Sequence, residues 1–131
     1  MSYILLVEDN QENADIVIRL LQSANLKVRH TLRGLDGARL ARQDLPDLIL
    51  MDFNLPDIDG RTLVLQLKKQ LGGPAAPPIV ALTARTGEHE VRLAQSFGCT
   101  AFVSKPFVPE QFLNLIKSLL PAPKSEPSGG G

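Results

Sequence analysis

Short apolar runs and helix-spaced segments take turns along the whole chain. The runs fall at residues 3–7, 27–31, 47–51, 79–82 and 100–103. Between and after them lie segments with helical spacing at 12–23, 35–42, 61–71, 88–97 and 109–120. In the first of these, Ile16, Leu20 and Leu21 recur at helical intervals, and Asn10 or Gln11 stands where an N-cap belongs. Pro109 suits the first turn of the last helix. The strand runs DLILM and YILLV do not alternate with polar residues, so both of their faces must be buried. Five such β/α units imply an α/β fold with a parallel sheet, five helices over its two faces and right-handed crossovers.

The chain has 131 residues, enough for one domain. Residues 1–120 are expected to form it. The text PAPKSEPSGGG from 121 to 131 loses all apolar periodicity and reads as a flexible tail. Lys plus Arg equals Asp plus Glu at 14 each, which argues against direct nucleic-acid binding. The N-terminal apolar stretch is too short for a membrane span and lacks the flanks of a signal peptide. Cys99, the single cysteine, suits a reducing cytoplasm and reads as a small buried apolar residue.

In an open parallel sheet, ligands bind beyond the carboxyl ends of the strands. Glu8 and Asp9 follow the first run, Asp52 the third, Thr83 the fourth and Lys105 the fifth. Three carboxylates at one edge raise each other's pKa and call for a cation. Oxygen donors without His or Cys suit Mg²⁺, with Mn²⁺ as a substitute. Asp52, at the end of a rigid buried strand, is the natural nucleophile toward phosphorus. Lys105 can neutralise developing charge as a compact ammonium, and Thr83 can donate to a phosphoryl oxygen. Backbone N–H groups near Asn54 and Ala84 offer further donors. Taken singly, each feature has a plainer reading. Glu8-Asp9 could be a helix-start acidic pair, Thr83 a strand residue and Lys105 a surface lysine. Asp57, Asp59 and Gly60 read as turn residues, and His30 and His89 as surface residues.

Four stretches, LLVEDN, LILMDFNLPDIDG, IVALTA and FVSKPF, occur in an order and spacing that resemble the receiver domain of two-component response regulators over residues 2–120. The resemblance implies a flavodoxin-like, CheY-like doubly wound sheet of order 2-1-3-4-5. It implies phosphorylation of Asp52 by a histidine kinase or phosphotransfer protein. The Mg²⁺ would be held by Glu8, Asp9, Asp52 and the backbone carbonyl of Asn54. Thr83 and Lys105 would bind the phosphoryl oxygens. Phe102 would be the aromatic that moves with Thr83, where the family often has Tyr, and Arg85 would tune phosphate loss. Phosphorylation would then bias a two-state equilibrium read by a downstream protein. Such a protein catalyses only its own phosphorylation and dephosphorylation.

Three rival readings fit less well; one, a phosphate-independent interaction module of receiver fold, has the intact acidic site against it. A phosphohydrolase with an aspartyl-phosphate intermediate commonly has a second aspartate where this chain has Asn54. A flavin carrier would place its phosphate loop against the repelling Glu8 and Asp9. With only eleven residues after 120, output is expected through protein contacts. The stripe Phe112, Leu113, Leu115, Ile116, Leu119 and Leu120 is wide for one core-facing side. It is either a deeply covered helix or a partner or homodimer surface that includes Leu113 or Leu115.

Overall fold

The computed structural model describes residues 2–53, 55–83, 92 and 96–121. In chain order its elements are β1 (Ile4–Val7), α1 (Gln11–Ser23), β2 (Val28–Thr31), α2 (Gly34–Gln43), β3 (Leu48–Asp52) and α3 (Gly60–Gln70). A short 3₁₀ turn (Gly73–Ala75), β4 (Ile79–Thr83), β5 (Ala101–Ser104) and α4 (Pro109–Leu119) follow. The five strands form one parallel sheet of order β2-β1-β3-β4-β5, as the resemblance implies. Four α-helices lie among the described residues, against five expected. The helix expected at 88–97 falls mostly outside them.

The lack of alternation in the strands has its physical explanation in two cores. Successive side chains of a strand point to opposite faces. Leu5, Val7, Ile49, Met51, Ile79 and Ala81 face one way, against Ala38 and Ala41 of α2 and Leu63, Val64 and Leu67 of α3. Ile4, Leu6, Leu48, Leu50, Val80 and Leu82 face the other, against Ala14, Val17 and Leu21 of α1 and Phe112 and Ile116 of α4. Each fully covered Leu or Ile contributes about 1.5–3 kcal/mol relative to exposure. This two-sided burial fixes the register of the central strands, and so fixes which residues emerge at their carboxyl ends.

Helix starts are set by local chemistry. The Asn10 side chain accepts from the Asn13 N–H at 2.9 Å and caps α1. Asp59 caps α3 by accepting from the Arg61 N–H at 3.3 Å. Gly37 lets α2 lie directly on β1, since a Cβ there would stand 2.7 Å from Val7 Cγ2. Cys99 is buried, and burial pushes its thiol up to about 12, consistent with an inert apolar residue. On α4, Phe112 and Ile116 are buried, while Leu113, Leu115 and Leu119, with Leu120 at the C-cap, pack half-covered against the same core. The wide stripe thus has its inner half accounted for by packing.

Candidate acidic site at the carboxyl edge of the sheet

The strand register builds the site. Val7 pairs with Met51, so the next residues outward, Glu8 and Asp52, leave adjacent strands side by side. Asp9 follows Glu8. Oxygen atoms of Glu8, Asp9 and Asp52 all lie within 4.8 Å of one another. Asp9 is exposed, whereas Glu8 and Asp52 are buried.

Lys105 arrives from β5, two strands from Asp52, and its long stem spans that gap. Its ammonium donates to Glu8 Oε1 at 2.9 Å and to Asp52 Oδ2 at 3.1 Å. The side chains of Glu8, Asp52 and Lys105 are 1%, 11% and 20% exposed, so these ion pairs are largely shielded from water. Glu8 Oε2 also accepts from the Asn10 N–H at 3.1 Å. Burial raises the pKa of Glu8, and the nearby Asp52 charge adds to the rise; Lys105 and the Asn10 N–H oppose it without cancelling it. For Lys105, burial works against the charged form, but Glu8 and Asp52 outweigh it and raise the pKa. With all four groups ionised, one ammonium faces three carboxylates and two negative charges remain in excess. A hard divalent cation has the charge and the oxygen donors it needs here.

The structure brings together Glu8, Asp9, Asp52 and Lys105, as the sequence predicts. The backbone of Thr83 ends β4 between β3 and β5, while its hydroxyl lies outside the described part of the molecule. Asn54, Ala84, Arg85 and His89 also lie outside the described residues. Phe102 is half-buried on β5 against the core that α2 and α3 cover.

Two residues carry more than the sequence reading allows. His30 is half-buried rather than a surface residue: its Nε2–H donates to the Glu8 backbone carbonyl at 2.8 Å and holds the end of β1. Asp57 is more than a turn residue. Its two oxygens accept from the N–H groups of Gly34 and Leu35, at 2.9 Å each. Beside the site, an open apolar groove of about 720 Å³ runs between α1 and the start of α4. Ile16, Leu20, Phe107 and Pro109 line it, together with Lys105 and Pro106.

Comparison with known proteins gives consistent findings. Residues 4–117 match the model of the response regulator receiver domain. The chain is similar to the polar-differentiation response regulator DivK of Brucella anthropi, at 33% identity over 117 residues, which is 89% of this chain and 94% of that one. It superimposes on chemotaxis protein CheY4 of Vibrio cholerae with a TM-score of 0.83 at 28% identity, covering 92% of this chain and 99% of that one. The receiver domain of sensor histidine kinase PA1611 from Pseudomonas aeruginosa gives a TM-score of 0.81 at 30% identity, covering 89% of this chain and 95% of that one. That structure holds a magnesium ion coordinated in its active site cleft.

Proposed function

This chain belongs to the response regulator receiver domain family, and on that premise we propose that it takes a phosphoryl group onto Asp52 in a two-component pathway. The observation that carries the reading is the cluster of Glu8, Asp9 and Asp52 around the single ammonium of Lys105. A bound Mg²⁺ supplies charge neutralisation and a position for a phosphoryl oxygen. Glu8, Asp9, Asp52 and the Asn54 carbonyl are the groups proposed to hold it, with Mn²⁺ as a substitute. The PA1611 receiver domain offers the precedent.

In the proposed step, an Asp52 carboxylate oxygen forms a bond to phosphorus as the donor's phosphorus–nitrogen bond breaks. The electron pair leaves with the imidazole of the donor histidine. Phosphoryl transfer asks mainly for in-line positioning and charge stabilisation. Asp52 is positioned by a buried strand on which every residue is covered. Lys105 redirects its ammonium from the two carboxylates toward the phosphoryl oxygens. Thr83 donates to another, and its movement is coupled to Phe102. The output is a shifted equilibrium read by a protein partner or a second copy, through a surface that includes Leu113 and Leu115.

The test is incubation of the chain with acetyl phosphate and Mg²⁺, followed by intact-mass analysis. One phosphoryl group is expected, and EDTA is expected to prevent it. A chain that stays unmodified with every donor would end this reading.

The apolar groove is the proposed seat of the protein that carries the phosphohistidine. Lys105, whose ammonium the incoming phosphoryl group must meet, is among the residues that line it, and Ile16 is 54% exposed on its wall. Ile16→Asp should slow transfer from a phosphorylated histidine phosphotransfer protein by roughly tenfold. The same change should slow uptake from acetyl phosphate far less, because a small donor needs no groove. Equal slowing with both donors would count against the groove.

Among the described residues no helix is long and apolar enough to cross a membrane. The proposed setting is the cytoplasm, where Cys99 stays reduced.

A further inference from the structure

We propose that Asp57 is a positioning residue for the acceptor site, tying the loop that leaves Asp52 to the first turn of α2. The inference rests on the function proposed above, since it concerns how the same carboxylates are held.

Three contacts carry it. The first turn of α2 has no cap of its own, because Arg33 stands at the N-cap and its side chain makes no capping bond. Asp57, more than twenty residues later in the chain, fills that role with both oxygens, one to Gly34 and one to Leu35. The loop also packs on the helix directly. A Cβ at Gly34 would stand 2.5 Å from Ile58 Cγ2, 3.0 Å from Leu63 Cδ2 and 3.1 Å from Leu55 Cδ1. At its neck the loop is closed by the Gly60 N–H, which donates to the Phe53 carbonyl at 3.3 Å.

The tie therefore has two ends that matter. One is the 53–60 loop, which begins next to Asp52. The other is α2, which lies on Val7 of β1 through the close approach at Gly37, one residue before Glu8. Asp57 thus links the two backbone segments from which the metal-binding carboxylates emerge. Its charge state supports the tie. Burial alone would raise its pKa, but the N–H groups of Leu35 and Gly34, with its own N–H and the Arg33 charge, lower it, so it stays an acceptor.

Groups that orient metal ligands from the next layer out typically change affinity by about 10–100-fold when removed. Mg²⁺ affinity of the full chain is measured by titration calorimetry, beside melting temperature. Asp57→Ala should weaken Mg²⁺ binding about tenfold. Asp57→Asn, which keeps one acceptor oxygen and loses the charge, should recover most of that loss. Gly34→Ala leaves Asp57 in place but lifts the loop from the helix, and should also weaken Mg²⁺ binding; it keeps the test available if Asp57→Ala does not fold. Ile116→Val, a core truncation under α4, should lower the melting temperature and leave Mg²⁺ affinity at the wild-type value. Wild-type affinity in Asp57→Ala or Gly34→Ala would reduce Asp57 to a helix cap. Equal losses in Asp57→Ala and Asp57→Asn would assign the effect to charge, and overturn the tie. A wild-type chain that binds no Mg²⁺ would overturn the function proposed for the site, and this inference with it.

Discussion

Asp52→Asn is expected to gain no phosphoryl group at any Mg²⁺ concentration, and to be more stable than the wild type when Mg²⁺ is removed. The first effect is complete because an amide oxygen is a poor nucleophile toward phosphorus, and Glu8, the other carboxylate on the Lys105 ammonium, is 1% exposed and cannot meet a donor. The second follows from the charges. Asp52 is repelled by Glu8 and Asp9 and attracted by Lys105. Removing its charge deletes two repulsions and one attraction, while an Asn oxygen can still accept from Lys105. At an effective dielectric constant near 20, each such interaction amounts to a few kcal/mol before solvation is counted. The desolvated Asp52 charge also vanishes, so a net gain on the order of 1 kcal/mol is expected. Calorimetric melting in EDTA reads the gain, and intact mass reads the phosphorylation. The stabilisation by Mg²⁺ should shrink in the variant, because one ligand charge is gone. A phosphorylated Asp52→Asn protein, or a variant less stable than the wild type in EDTA, would contradict the charge argument.

Most of the fold was legible because each element is punctuated locally. The helix that the sequence places at 12–23 runs Gln11–Ser23, since Asn10 supplies the cap within its own segment. The strand read at 47–51 runs Leu48–Asp52, and it could be recognised as central because LILM leaves no polar position for a solvent face. Glu8, Asp9, Asp52 and Lys105 were legible for a related reason: the ends of parallel strands converge whatever the loops do. What escaped is long-range and polar. Nothing near His30 in sequence announces that its ring meets the carbonyl of Glu8, because that contact needs the β1–β2 pairing first. Asp57 lies in a run of turn residues, so nothing in its local setting asks for a further role; its partners, Gly34 and Leu35, belong to a helix on another segment. Nor does sequence say that Lys105 bridges Glu8 and Asp52, since a lysine stem can reach several partners.

Lys105→Met should lose about 2–3 kcal/mol of stability at neutral pH without Mg²⁺, a value reduced from that of a fully buried pair because the lysine is partly exposed. Met keeps the length and the apolar stem, so the loss isolates the ammonium. Without it, buried Glu8 faces Asp52 with only the Asn10 N–H in support. The pH dependence follows from the directions of the shifts. The pKa of Glu8 in the folded protein is raised above its ordinary 4.5. The unfolded chain therefore releases this proton first, and stability falls as pH rises from 4.5 through the folded value. Lys105 moderates that fall, so Lys105→Met should show it more steeply, with the difference between the two proteins closing again below that range. The folded pKa of Lys105 is also raised, above 10.5, so its contribution is fully present below that value and is lost as pH climbs through the folded one. The stability difference should therefore have a plateau between two flanks. Mg²⁺ should remove much of the deficit at neutral pH, because a divalent charge can replace an ammonium between carboxylates. It should not restore phosphoryl uptake, which is expected to stay about 10²-fold slow for want of a cation on the phosphoryl oxygens. Denaturant melts from about pH 4 to about pH 12, with and without Mg²⁺, read the first part. A pH-independent difference, or recovery of the rate together with stability, would show that Lys105 holds the fold without taking part in the transfer.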